Sequence, residues 1–326
     1  MKRLYLLTGA TGHLGSWILR LLKDDKQAIR ILVLLSEKNI VPDDVDVVYG
    51  DITDKDSMKP FFNTAGFDET VLIHCAAIVS IVSDNPLVHK VNVEGTRNVL
   101  DMALENRINR VIYVSSVHAI EEKPNKELIT ETKDFNPDRV TGQYAKSKAE
   151  AARLALTYCD KGLDLSIVHP SGIIGPGDYR STNNSINTLK AMYTGKIFAA
   201  MSGGYDFVDV RDVASGIISC VDSGRNGETY LLSGEYISVK QMLEVVNEYK
   251  NRKFPIISVP DFIVGMVAPV SQWLSLHFGN GKPLLTPYSL YTLRSNSNFS
   301  NEKAKKELGF NPRSIKESIV DTLEDQ

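Results

Sequence analysis

Eight residues near the N-terminus, Thr8-Gly-Ala-Thr-Gly-His-Leu-Gly15, constrain this chain more than any other feature. They follow a short apolar run, LYLL at 4–7, and lead at once into a segment where Leu14, Trp17, Ile18, Leu21 and Leu22 recur at helical spacing. Glycine at 9, 12 and 15 permits positive φ and lets the main chain approach a bound group closely. The N-terminus of the helix that follows offers unpaired N–H donors to a phosphate. A turn needs glycine in any case, but three at this spacing between strand and helix predict dinucleotide binding. The residues involved are Gly9, Thr11, Gly12, His13, Leu14 and Gly15.

The same alternation continues. Apolar strand-like runs at 29–35, 46–49, 71–74, 111–114 and 165–169 are separated by helical patterns, among them 86–106 and 144–160. Continuously apolar strands belong to a sheet covered on both faces. Strands of that kind alternating with helices predict an α/β fold, a Rossmann-type doubly wound parallel sheet. After residue 170 the rhythm breaks into PSGIIGPGDYRSTNNS, then a helix, a strand at 229–233 and a helix at 239–250. We read residues 1–170 as the dinucleotide-binding domain and 171–326 as a smaller, mixed, mainly substrate-binding lobe. Its segment at about 205–235 returns to the Rossmann core, and the charged helix EKAKKELG ends the organised part.

Composition narrows the class of function. A formal net charge of -3 with dispersed Lys and Arg gives no electrostatic reason to expect nucleic acid. Cys75, Cys159 and Cys220 form no C-x-x-C and read as reduced thiols of a cytoplasmic protein, and six scattered histidines predict no metal site. The N-terminal apolar run is too short for a signal peptide. The apolar segment 254–278 carries three prolines, Asp261 and His277, which argue against a membrane span and leave a surface-lying or pocket-covering role open. The expected partner is a small-molecule substrate, and the expected state a monomer or homodimer.

Tyr144 and Lys148 in YAKSK stand one turn apart on one helix face, followed on that face by Ala151, Ala152, Ala155 and Cys159. Lys146 points elsewhere, to solvent. A phenol can deliver the proton that carbonyl reduction requires. An ammonium at ~4 Å contributes on the order of 4 kcal/mol at an effective dielectric of about 20, so Lys148 is expected to lower the Tyr144 pKa by up to about three units.

Taken in order, TGATGHLG, YGDITD (49–54), HCAA (74–77), VNVEGTRNVL (91–100), YVSS (113–116), YAKSK (144–148), HPSGIIGPGD (169–178), FVDVRDVA (207–214) and KAKKELGFNP (303–312) resemble an extended short-chain dehydrogenase/reductase over nearly the whole chain. AAIVSIVSDNP and PLLTPYSL…FSNEKAKKELGF point to the dihydroflavonol-reductase-like and 3β-hydroxysteroid-dehydrogenase-like branch. The resemblance implies that Asp51 and the Ile52 backbone hold the adenine and that Ala76 and Ala77 line the cofactor floor. It implies that Pro170, Ser171, Gly172 and Ile173 flank the nicotinamide. Ser116, rather than the adjacent Ser115, would place the substrate oxygen beside Tyr144, Lys148 would bind the nicotinamide ribose, and Asn92 would support the active-site helix or a proton relay. His169 departs from the pattern, standing where relatives often have Arg.

A ribose-binding acid is expected about twenty residues after the glycine loop. That point reads Leu34-Leu35-Ser36-Glu37-Lys38. Ser36 and Lys38 are candidates to meet a 2′-phosphate, so NADP(H) is favoured, with NAD(H) as the alternative. Substrate choice is expected from 79–86, 118–143, 174–206 and 254–278, with Val79, Ser116, Val117 and Tyr144 touching the substrate. The apolar residues Ile78, Val79, Ile81, Val82, Phe262, Ile263, Val264, Met266, Val267 and Trp273 predict a bulky apolar carbonyl compound or alcohol if they line the pocket. Two alternatives remain: a nucleotide-sugar epimerase or dehydratase with tightly bound NAD, for which Arg180 and Arg211 are candidate diphosphate ligands, and a non-catalytic dinucleotide sensor.

Overall fold

The computed structural model describes residues 2–80, 85–181, 183–252, 255–278 and 285–325. β1 (Arg3–Thr8) leads into α1 (His13–Asp24), β2 (Ala28–Val33), β3 (Asp46–Tyr49), the single turn α2 (Lys55–Met58) and β4 (Glu69–His74). α3 (Pro86–His89) continues through a π-helical segment, Lys90–Gly95, into α4 (Thr96–Glu105); β5 (Arg110–Val114), α5 (Gln143–Asp160) and β6 (Leu165–Pro170) follow. The second half holds β7 (Gly172–Ile174), α6 (Asn184–Tyr193), β8 (Ala199–Ala200), β9 (Gly204–Asp209), α7 (Val210–Ser223), β10 (Thr229–Leu232) and β11 (Glu235–Ser238). It ends with α8 (Val239–Tyr249), β12 (Ile257–Ser258), α9 (Asp261–Phe278), α10 (Pro287–Arg294), α11 (Glu302–Leu308) and α12 (Ile315–Glu324).

Seven parallel strands form the main sheet in the order β10-β6-β5-β4-β1-β2-β3, so the chain is a Rossmann-type doubly wound α/β protein. A smaller mixed sheet, β11-β9-β7, and the pair β12-β8 belong to the second half. The unbroken apolar strands have the predicted cause. In β1, Leu4 and Leu6 enter the core beneath α4 and α5, while Tyr5 and Leu7 enter the core beneath α1 and α7. Helices thus leave β1 and β4 toward opposite faces, and the crevice between the C-terminal ends of these two strands is where a ligand fits.

Two expectations need correction. The strand predicted over 29–35 ends at Val33, because Leu34 and Leu35 leave the sheet for an exposed 3₁₀ turn beside the crevice. The organised chain also extends past the charged helix α11 to α12, capped by Ser314, whose Ile315, Ile319 and Leu323 are buried in the core it shares with α8. Among the described residues no helix is long and apolar enough to cross a membrane.

Candidate active site

The glycine loop is built for close approach. Gly9 has φ +75°, and a Cβ there would lie 2.8 Å from the Ala76 nitrogen; a Cβ on Gly15 would lie 2.0 Å from the Gly9 carbonyl oxygen. At Gly12 a Cβ would meet only the Gly9 oxygen, at 3.4 Å, so this residue presents bare backbone to the crevice. The loop is braced from beneath. Thr8 Oγ1 lies 2.7 Å from Nδ1 of the fully buried His74, whose Nε2 lies 3.1 Å from Thr96 Oγ1, and Thr8 Oγ1 also accepts from the Ala76 nitrogen. Burial holds the His74 pKa at about 3, so the ring is neutral and acts as a spacer between β1, β4 and α4.

A cavity of about 1160 Å³ runs from this loop into the second half of the molecule. Gly9, Thr11, Gly12, His13, Leu14 and Gly15 line its first part, with Asp51, Ile52, Ala76 and Ala77 opposite and Pro170, Ser171, Gly172 and Ile173 further along. Asp51 Oδ1 is fixed by the Thr53 backbone N–H and hydroxyl, at 2.8 and 2.9 Å. Residues brought from the ends of β1, β3, β4 and β6 therefore make one trough with room for a dinucleotide. Ser36 and Lys38 do not line it. Glu37 does, its carboxylate accepting from Thr11 Oγ1 at 2.8 Å and from Arg180 Nη1 at 2.6 Å.

Tyr144, Lys148 and Ser116 meet in the middle of the cavity wall. The phenol lies close enough to Ser116 for the serine hydroxyl to favour its ionised form, and Ser116 Oγ accepts from the His118 nitrogen. Ser115 also reaches the wall. Lys148, only 3% exposed, donates from Nζ to the Val114 carbonyl at 2.9 Å. The pKa shift expected from pairing does not emerge from these residues alone. Burial pushes Tyr144 up to about 12, against a smaller opposing pull from Ser116, and burial pulls Lys148 down to about 8. Desolvation outweighs any attraction between the two because both heads have left bulk water.

Asn92 lies behind this trio in the π-helical segment. Its Nδ2 donates to the Ile78 carbonyl and to Ser147 Oγ, each at 3.0 Å, and its Oδ1 accepts from the Ile78 nitrogen at 2.8 Å. It therefore ties the strand-end loop that carries Ala76 and Ala77 to α5. His169, the departure from the family pattern, is wholly buried against Phe135 and donates from Nδ1 to the Ser116 carbonyl at 3.0 Å. It steadies the serine from behind.

Other expectations divide. Val79 lines the cavity, whereas Val117 is packed in the core and its neighbour His118 takes the wall position. Ile81 and Val82 lie outside the described residues. Of the loop 118–143 only His118 reaches the cavity; Ile120, Ile129, Phe135 and Val140 anchor it in the core, and most of the rest is exposed. Sequence reasoning missed an aromatic group beyond Tyr144: His118 stacks on Tyr205 with centroids 5.6 Å apart and approaches Tyr144 and Tyr288 at 5.9 and 6.3 Å. Only the placement of His118 right after the strand-end serines hinted at it. Ile263, Val264 and Val267 of α9 line the far end, together with Met192 and Phe207. Arg211 is held by Asp209 and Asp321, and Arg180 by Glu37.

A model of the NAD dependent epimerase/dehydratase family matches residues 5–233. The chain belongs to that family. Sterol demethylase protein B of Methylococcus capsulatus is 29% identical over 322 residues, 98% of this chain and 96% of that one. A 3beta-hydroxysteroid-dehydrogenase/decarboxylase of Arabidopsis thaliana is 28% identical over 287 residues, 82% of this chain and 63% of its own. The crystal structure of gox2253 superposes with a TM-score of 0.83 at 32% identity, covering 99% and 97% of the two chains. As a family member with these relatives, the chain is an NAD(P)-dependent enzyme of the short-chain dehydrogenase/reductase type.

Proposed function

We propose that this family member reduces a carbonyl of a bulky apolar molecule, or oxidises the corresponding alcohol, with NAD(H). The observation that carries the reading is the shared cavity. The Ser116–Tyr144 pair stands between a dinucleotide trough and an end lined by Met192, Phe207, Ile263, Val264 and Val267. A bound nicotinamide supplies hydride to the carbonyl carbon or accepts it. Tyr144 donates the proton to the substrate oxygen, which Ser116 orients, and a phenol at about 12 is fully protonated and ready to do so at neutral pH. Lys148 brings a positive charge beneath the site, and Asn92 holds α5 in register with the Ala76–Ala77 floor. Relatives named for sterol and steroid chemistry support a polycyclic substrate.

Glu37 favours NAD(H) over the NADP(H) that Ser36 and Lys38 predicted. A carboxylate fixed by Thr11 and Arg180 in the turn after β2 would accept from an adenosine ribose hydroxyl and would disfavour a 2′-phosphate. Epimerase or dehydratase chemistry gains no support from Arg180 and Arg211, since carboxylates already engage both. The test is NADH and NADPH turnover with a panel of steroidal and aromatic ketones. Turnover with NADH is expected. No turnover on the panel, together with protein that retains NAD and converts nucleotide sugars, would overturn the reading.

A further inference from the structure

α9 is apolar around nearly its whole circumference, yet much of it faces solvent. A helix of that kind is ordinarily buried. Its residues sort into three adjacent stripes at helical spacing. Val264 and Ala268 are buried, Val264 at the cavity's edge, and Ile263, Val267 and Ser271 line the cavity beside it. Phe262, Met266, Val270 and Trp273 do not touch the cavity and are between 52% and 68% exposed. Phe198 and Ile257 add to the same patch, because β8 pairs with β12 just ahead of α9. Contiguous exposed surface of this kind marks a binding face.

Charge identifies the occupant. Apart from its ends, Asp261 and His277, α9 carries no ionisable residue, and Asp261 is engaged by Ser202 and Arg294. Around the C-terminal end of α6, which leads through Phe198 into β8, stand Lys190, Lys196, Lys250 and Arg252. Lys250 and Arg252 both donate to the Tyr193 carbonyl, and Lys196 shares the cavity rim with Phe198. None of the four has a carboxylate partner among the described residues. Exposed aliphatic and aromatic side chains, with cations nearby that no carboxylate neutralises, match a bilayer surface with anionic headgroups. We infer that the outward stripe of α9 docks this protein on an anionic lipid surface, with the cavity mouth beside it.

The chain contains two tryptophans, so Trp17→Phe leaves Trp273 as the sole reporter. Expected is a blue shift of its emission, and co-sedimentation, with phosphatidylcholine vesicles containing phosphatidylglycerol, both weakened by salt. Phe262→Ser/Met266→Ser should abolish binding. Lys190→Gln/Lys196→Gln should weaken it by roughly tenfold or more, since each cation near such a surface contributes a factor of about 5. A cooperative thermal melt of each variant establishes that it folds. The inference fails if the emission does not shift, if vesicles without phosphatidylglycerol bind equally well, or if Phe262→Ser/Met266→Ser binds like the parent. It also fails if the parent is a concentration-dependent dimer that this double variant turns into a monomer, since a second copy would then cover the face.

Discussion

Tyr144 and Lys148 illustrate how little of a site's chemistry lies in residue type alone. Their spacing on α5 was legible from YAKSK, but their titration depends on what packs around them. Tyr144→Phe is expected to lower turnover by roughly 10²–10⁴, the usual contribution of a positioned acid, while the Kd for NADH changes little. Equal activity in steady-state assays would remove Tyr144 from the mechanism. Lys148 has a folded pKa of about 8, below its ordinary 10.5, so the unfolded chain binds more protons between those values. Stability should therefore rise with pH from about 8 to 10.5, and below that window the buried charge is a constant burden of up to about 3 kcal/mol. Lys148→Met should raise Tm at pH 7 by a few degrees while removing activity, less what is lost by leaving the Val114 carbonyl unpaired. A lower Tm would show that the charge is held at no cost.

At the scale of elements, the junction of β1 and α1 is the tightest part of the molecule. Gly15→Ala would drive a methyl group into the Gly9 carbonyl, a backbone atom that cannot rotate away. Expected are a loss of about 1–3 kcal/mol of stability by thermal or urea unfolding and NADH binding weakened by more than tenfold. Wild-type binding would mean that the loop can shift as a unit. α5 shows the same logic more gently, since Ala151, Ala152 and Ala155 are wholly buried and let the helix sit close to the sheet. These features were readable from the chain because glycine spacing and small-residue stripes act over a few residues. α9 was not: its three stripes are all apolar, and nothing in their order says which one faces core, cavity or solvent.

On the proposed reading, cofactor preference belongs to the whole molecule. Thr11, Glu37 and Arg180 come from the glycine loop, the turn after β2 and the segment after β7, and they meet at one end of the trough. Glu37→Gln is expected to shift the ratio of NADPH to NADH affinity by about tenfold toward NADPH, the scale of one charge contact. Fluorescence titration of both cofactors checks it, and an unchanged ratio would assign the preference elsewhere.

The chain's order by itself determined the parallel sheet, the glycine loop and the helix that carries Tyr144 and Lys148. Each follows from short-range sterics or from hydrophobic period, which neighbours along the chain dictate. Only the tertiary structure decided that Glu37 rather than Ser36 or Lys38 faces the trough, and that His118 rather than Val117 forms the wall. It also decided that Tyr144 is pushed up and Lys148 pulled down, and that α9 turns one apolar stripe outward. All of these depend on desolvation and through-space contact between segments far apart in the chain, which no local pattern encodes.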